Sequence, residues 1–274
     1  MSVDQPTRRT CIFCGERPGS REHMFPRWLN AIFPTDENAE RQPEWLRQVA
    51  DEGGVHPVTW NASQIASLTT RLICSDCNNH WMAHLEARAR PVLTPFITGN
   101  AGTIAQPDQL LIATWATKTV MVLEPSLTPE HNFTGEQRDI VRTQDRPPAS
   151  VEVSISAVEG PIAPMGFSCA RVRLLIGDSP FSDYHFYTVY MGALVLQVLR
   201  PDPAPADYGT LERMNIPREV VAPPDLAVVI FPPSNRVAWP PRQVLDWDAL
   251  MTFTHRGIEM PEDWALPSPL MESE

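Results

Sequence analysis

Hydrophobic and polar positions alternate along this chain in two distinct rhythms. Trp81, Leu85 and Ala89 fall four residues apart, which predicts a helix over 79–93 that Pro91 begins to end. Pro107 and Asp108 open a second helix over 107–124, with Leu111, Trp115 and Val122 on one face and Ile112 and Thr119 nearby. Apolar and polar residues alternate strictly over 151–158. Segments 168–176 and 184–199 also read as strands, with Gly192 a bulge or turn in the second, and 226–231 as a short buried strand. A strand over 68–74 runs into a cysteine pair. Residues 34–66 are polar and rich in Gly and Pro, which predicts an insertion or long loop with a short helix around 43–50. A helical turn is expected near 246–254. The small, polar stretch 98–107 marks a boundary between units 1–98 and 99–274. The class is α+β.

Composition narrows this picture. Hydrophobic residues make up 43% and charged residues 20% of the 274, enough for a buried core. The 29 prolines, about twice the usual share, predict short elements joined by ordered loops. No run reaches the ~18 apolar residues of a membrane span, and the first residues lack the apolar stretch of a signal peptide. A cytoplasmic location is therefore expected, where thiols stay reduced.

In that setting the spacing of the cysteines carries chemistry. Cys11-Ile12-Phe13-Cys14 and Cys74-Ser75-Asp76-Cys77 are two C-x2-C pairs. Two residues between cysteines let one tight turn aim both sulfurs at one ion, and two such turns close a tetrahedral zinc site with no open position. Such an ion holds the fold and performs no reaction. Cys169 stands alone in an apolar strand and reads as core.

The net charge of −11 weighs against a broad nucleic-acid-binding face. It is unevenly distributed, however. Residues 1–98 hold 10 basic and 11 acidic side chains, and residues 99–274 hold 12 and 22, a net of −10. The acidic half is suited to a protein partner, and five arginines lie within the first 30 residues.

After Cys14 comes Arg21-Glu22-His23-Met24-Phe25-Pro26-Arg27-Trp28, and Asn78-Asn79-His80-Trp81 follows Cys77. C-x2-C, an acidic-His pair with Pro three residues on, and C-x2-C-N together resemble the HNH (His-Me finger, ββα-metal) nucleases. The likeness is to the sub-type stapled by a four-cysteine zinc in phage junction-resolving endonucleases, and it covers roughly residues 8–90. It implies a zinc-stapled, treble-clef-like ββα-metal module ahead of a mainly antiparallel β domain with one long helix. It further implies that Glu22, where the family usually has Asp, and Asn78 hold a catalytic Mg2+ or Mn2+. His23 would be the general base. DNA, ahead of RNA, would be the substrate, and no membrane is involved. Elementary chemistry agrees: hard cations want oxygen ligands, and imidazole accepts a proton near neutral pH. Arg21, Arg27 and Arg71 are candidate phosphate contacts.

Other readings stay open. Glu22-His23 also fits a plain surface pair, and Asn78 a helix N-cap. His80 and His84, at i and i+4, fit an exposed polar face better than a metal pair. Trp28 and Trp81 fit the core of the zinc module. The whole could be a non-catalytic, zinc-stabilised binding or regulatory protein on a degenerate HNH scaffold. Residues 99–274 hold no nucleophile-elbow, phosphate-loop or paired-carboxylate motif that would place an enzyme site there.

The cysteine spacing generates the first prediction. Purified, reduced protein should carry about one tightly held zinc per chain, and Cys14→Ser or Cys77→Ser should unfold the N-terminal region, because binding energy at such a site is folding energy. Metal analysis together with circular dichroism of both variants checks this; zinc-free native protein would refute it.

Overall fold

A computed structural model describes residues 10–33, 45–51, 54–60, 69–127, 132–160, 165–174, 182–202, 225–246 and 249–250. Its elements follow the chain. Strand β1 is Glu22–His23, and a 3-10 turn spans Arg27–Ala31. Strands β2 (Trp45–Asp51) and β3 (Gly54–Trp60) come next, then β4 (Thr69–Thr70). Helix α1 (Ser75–Cys77) runs through a π turn (Asn78–Met82) into α2 (Ala83–Ile97). Strand β5 (Gly102–Ile104), helix α3 (Gln106–Leu127) and helix α4 (Gly135–Gln144) follow. The chain then forms β6 (Glu152–Ala157), β7 (Met165–Leu174), β8 (Ser182–Met191), β9 (Leu194–Asp202), β10 (Ala227–Phe231) and β11 (Val237–Trp239).

Strands β6 to β10 build one antiparallel sheet in the order β10-β6-β9-β8-β7. Period-2 alternation sends Leu194, Leu196 and Val198 into the main core, and Val195 to a smaller cluster with Val158, Ala227, Leu245 and Leu250. Helix α3 packs on every strand of this sheet, with α2 and α4 against it. It is therefore buried on all sides: every residue from Ile112 to Glu124 is buried. Thr114 and Thr117 satisfy their hydroxyls on the carbonyls of Leu110 and Ala113, at 2.7 and 2.8 Å.

The two units read from the sequence share core. One hydrophobic cluster runs from Cys11 to Trp239. Across 98–107, β5 pairs with β11, Phe96 packs on Trp239 with ring centroids 5.3 Å apart, and the Ala193 amide donates to the Ile97 carbonyl at 3.1 Å.

A buried polar network ties α3 to α4 and the sheet. Arg138 donates to Glu124 Oε2 at 3.0 Å, and the Tyr187 hydroxyl donates to Glu124 Oε1 at 2.6 Å. The Asn132 amide also donates to Glu124 Oε1 at 3.0 Å, and Arg138 donates further to the Met121 and Phe133 carbonyls. One charge meets one charge here, with the surrounding donors and acceptors filled.

Several sequence expectations need correction. The segment around 43–50 is strand, not helix: β2 pairs with β3 from Trp45↔Trp60 to Asp51↔Gly54. Only two residues, Glu52 and Gly53, separate the paired ends, and so short a separation with glycine favours a hairpin over a helix. Helix α2 passes through Pro91 and Pro95 to Ile97. Both prolines lie on the exposed side, where water can satisfy the carbonyls they free, while Leu93, Phe96 and Ile97 anchor the other side. Of the two alternatives expected at Gly192, the turn is the one found: it joins β8 and β9 within 184–199. The strand over 68–74 shrinks to Thr69–Thr70. Helix α4 was not anticipated, although Thr134 and Gln137 form a capping box readable as T-x-x-Q. Of the turn near 246–254, Ala249 and Leu250 are helical, with Asp246 accepting from the Ala249 amide at 2.7 Å; 247–248 and 251–254 lie outside the described residues. No helix among the described residues is long and apolar enough to cross a membrane.

Gly192 has φ +54, and a Cβ there would lie 2.4 Å from the Ile97 carbonyl oxygen. Gly160 has φ +60 and open space around it. Gly160→Ala should cost only the ~1–2 kcal/mol of left-handed backbone. Gly192→Ala should cost clearly more, because rigid backbone blocks the methyl group. Urea denaturation of both variants separates the two terms; equal losses would refute the clash.

Candidate metal centre and its acidic-histidine neighbour

The cysteine pairs converge because backbone hydrogen bonds hold their two loops together. In the first loop the Gly15 amide donates to the Cys11 carbonyl at 2.9 Å, with Gly15 at φ +77, a left-handed conformation that glycine takes without strain. Ile12 donates to the Leu72 carbonyl at 3.1 Å, and Gly19 and Ser20 both donate to the Ile73 carbonyl at 3.0 Å. These bonds tie the first pair to the residues just ahead of the second. Cys74 is the N-cap of α1, its sulfur accepting from the Cys77 amide at 3.3 Å.

The four sulfurs lie within 4.8 Å of one another, with Cys14 and Cys74 3.5 Å apart. Tetrahedral Zn–S bonds of about 2.3 Å place sulfurs about 3.8 Å apart, so the cluster could hold a metal ion and suits a structural zinc. No disulfide competes, since all four thiols are free. Burial pushes the Cys77 thiol well above its ordinary range, while the Trp81 indole favours the thiolate. A bound cation would reverse that penalty by replacing the proton. Phe13 meets Trp81 edge to face at 5.0 Å, locking the first loop onto the helix after the second pair. Trp28 and Trp81 both pack against the core.

Strand β1 follows from the same clamp. Glu22 pairs with Thr70 and His23 with Thr69, so the acidic-His pair is held beside the segment leading into Cys74. Glu22 is only 6% exposed. Burial pushes its carboxyl up to about 7; the ammonium of Lys118 pulls it down, and the Glu86 carboxylate pushes it up. His23 is half-buried, and burial together with the Arg27 charge pulls its imidazole below the ordinary 6.5, against the pull of Glu86. At neutral pH this imidazole is uncharged and able to accept a proton.

Two further residues complete the cluster. Lys118 on α3 donates to Glu86 Oε1 on α2 at 2.7 Å, and its Nζ lies 4.0 Å from Glu22 Oε1. Neither was anticipated, yet one signal was present: Lys118 is the only lysine in the chain, set within an apolar helix.

The other site candidates are more exposed than Glu22. Asn78 is half-exposed and lies inside the helical run, so it is not its N-cap; Cys74 is. Among the described residues the Asn78 side chain makes no hydrogen bond to Glu22 or His23. Its carbonyl accepts from the Ala83 amide in the π turn, a distortion often found at functional sites. Arg21, Arg27 and Arg71 are exposed, and of the three it is the Arg27 charge that bears on His23. His80 is exposed and pairs with Asp76 at 3.0 Å, and His84 is exposed beside it. Cys169 packs against the core, its thiol pushed by burial up to about 12.

The position of Glu22 sets a pH dependence. Its native pKa of about 7 lies above the ordinary 4.5, so between these values the native state keeps a proton that the unfolded chain has released. Stability from this group is therefore greatest at low pH and falls as pH rises through that window. His23 contributes a slope of the opposite sign, common to wild type and any Glu22 variant. Glu22→Gln should flatten the decline between about pH 5 and 7.5, as read by denaturant unfolding. Parallel curves would mean that Glu22 titrates as an exposed carboxylate does.

Comparison with family models, curated proteins and solved structures found no match to this chain.

Proposed function

We propose that the chain is a metal-dependent HNH-type endonuclease that hydrolyses phosphodiester bonds of DNA, with RNA the second candidate. One observation carries the reading. A buried carboxyl and a half-buried, uncharged imidazole occupy consecutive positions of a strand clamped between two cysteine pairs that could hold zinc. The four-cysteine zinc is structural. In this reading His23 accepts the proton of the attacking water. Glu22 and Asn78 would hold Mg2+ or Mn2+, which supplies charge stabilisation at the phosphate and the leaving oxygen. Arg27, exposed at the start of the 3-10 turn four residues after His23, and Arg21 and Arg71 take the phosphate backbone. The acidic half, residues 99–274, is left to a protein partner.

The second reading, a non-catalytic zinc-stabilised binding protein, is favoured by Lys118. Its ammonium near Glu22 opposes a cation there except where Glu86 neutralises it, and a net charge of −11 opposes nucleic acid generally.

His23→Ala should lower cleavage by roughly 10²–10⁴-fold while zinc content and unfolding stay near wild type. Glu22→Ala should instead alter the dependence on Mg2+ or Mn2+. Wild-type cleavage should fall as the pH drops, first as Glu22 takes a proton near 7 and then as His23 does below the ordinary imidazole range. The assay incubates plasmid, single-stranded DNA and RNA with each protein at low salt. Wild type that cuts none of them favours the binding protein; equal cutting by His23→Ala removes His23 from the mechanism.

A further inference from the structure

We propose that Lys118 is a positioning residue of the Glu22–His23 site, acting through Glu86 to hold the Glu22 carboxylate in its place. The inference rests on the hydrolytic reading above, and it concerns residues far apart in sequence that only the fold brings together.

The chain has 22 basic residues, and 21 are arginine. Its single lysine is 2% exposed, so it serves neither solubility nor surface charge. An ammonium is compact and can be approached by two carboxylates from different directions, whereas a guanidinium fork commits to a plane. Lys118 stands in that relation to Glu86 and Glu22. Its direct hydrogen bond goes to Glu86 at 2.7 Å, and at 4.0 Å Glu22 is in Coulombic contact without giving up a lone pair to it.

The charge count separates this cluster from a plain anchor. The same helix carries Glu124, which meets Arg138 one for one, with hydroxyl and amide donors filling its oxygens. Around Lys118 two carboxyl groups face one ammonium in a largely buried place, so acids outnumber bases there. An anchor between α2 and α3 needs only the Lys118–Glu86 pair. The third group, Glu22, is the one that the hydrolytic reading assigns to the cation.

The test compares wild type with Lys118→Met/Glu86→Gln in the full chain. This double variant removes one charge of each sign and so keeps the net charge of the cluster, while Glu86→Asp, which alters no charge, separates position from field. Zinc content should stay near wild type, and thermal unfolding is compared at pH 6, where the burial-raised Glu22 carboxyl holds a proton and no ionised group is left buried without a partner. Cleavage should fall by at least ~10-fold and toward the ~10²-fold that a 1 Å displacement can cause. Glu86→Asp, which keeps every charge and withdraws the anchor by one methylene, should also lose at least ~10-fold. It decides the matter should the double variant not fold. A folded variant that cuts like wild type makes the pair purely structural and overturns the proposal, while the hydrolytic reading stands. If wild type cuts nothing, that reading fails on its own. Lys118 is then judged on Mn2+ binding, followed by electron paramagnetic resonance. A ~10-fold weaker affinity in the folded variant upholds its role, and equal affinity, or no Mn2+ bound by wild type, overturns it.

Discussion

A helix buried on all sides cannot leave a charge unmatched, and in this protein that helix is α3. It carries two buried charges, Lys118 and Glu124, six residues apart. Six residues turn a helix through 600°, so the two side chains leave it about 120° apart and about 9 Å along its axis. Lys118 therefore reaches toward α2 and β1, and Glu124 toward α4 and the sheet. The two halves of the chain are joined through this division: the cysteine-bearing segment by Lys118 with Glu86 and Glu22, the sheet by Glu124 with Arg138 and Tyr187.

The cysteine cluster and the acidic-His pair depend on each other in a similar way. Strand β1 is two residues long and pairs only with the equally short β4. Alone, such a pair would not persist in water. It is held because Gly19 and Ser20 just before it bond to Ile73, and Ile73 leads directly into Cys74. A metal ion joining the four sulfurs would turn this contact into a fixed frame. Burial of Glu22 is the consequence with chemical weight. It raises the carboxyl pKa and brings the charges of Lys118 and Glu86 to bear on a residue that in isolation would be an ordinary surface glutamate.

Much of the fold was legible where spacing and physical cause coincide. Alternation located β6, and the apolar, β-branched run located β10, because a sheet strand has a period of two. The helices around Leu85 and Trp115 were legible from their apolar spacing. The errors share one origin, local signals outweighed by packing. Pro91 removes one backbone donor, but on the exposed side water can take the carbonyl it frees, so the helix continues through it. Residues 43–50 lack a decisive period, and the pairing of Trp45–Asp51 with Gly54–Trp60 settled the described part as strand. Helix α4 has few apolar residues, so periodicity missed it, though its capping box did not depend on periodicity.

The cysteine spacing by itself determined that two loops would present four thiols to one point, since two-residue spacing restricts each loop to a tight turn. It likewise placed Glu22 and His23 together, because neighbours in a chain stay neighbours. Which charges surround them was decided only by tertiary structure. Glu86 lies 64 residues beyond Glu22 and Lys118 a further 32, and no periodicity links positions so distant. They meet because α3 is buried throughout from Ile112 to Glu124, and a lysine within that stretch must find carboxylates where the packing brings them.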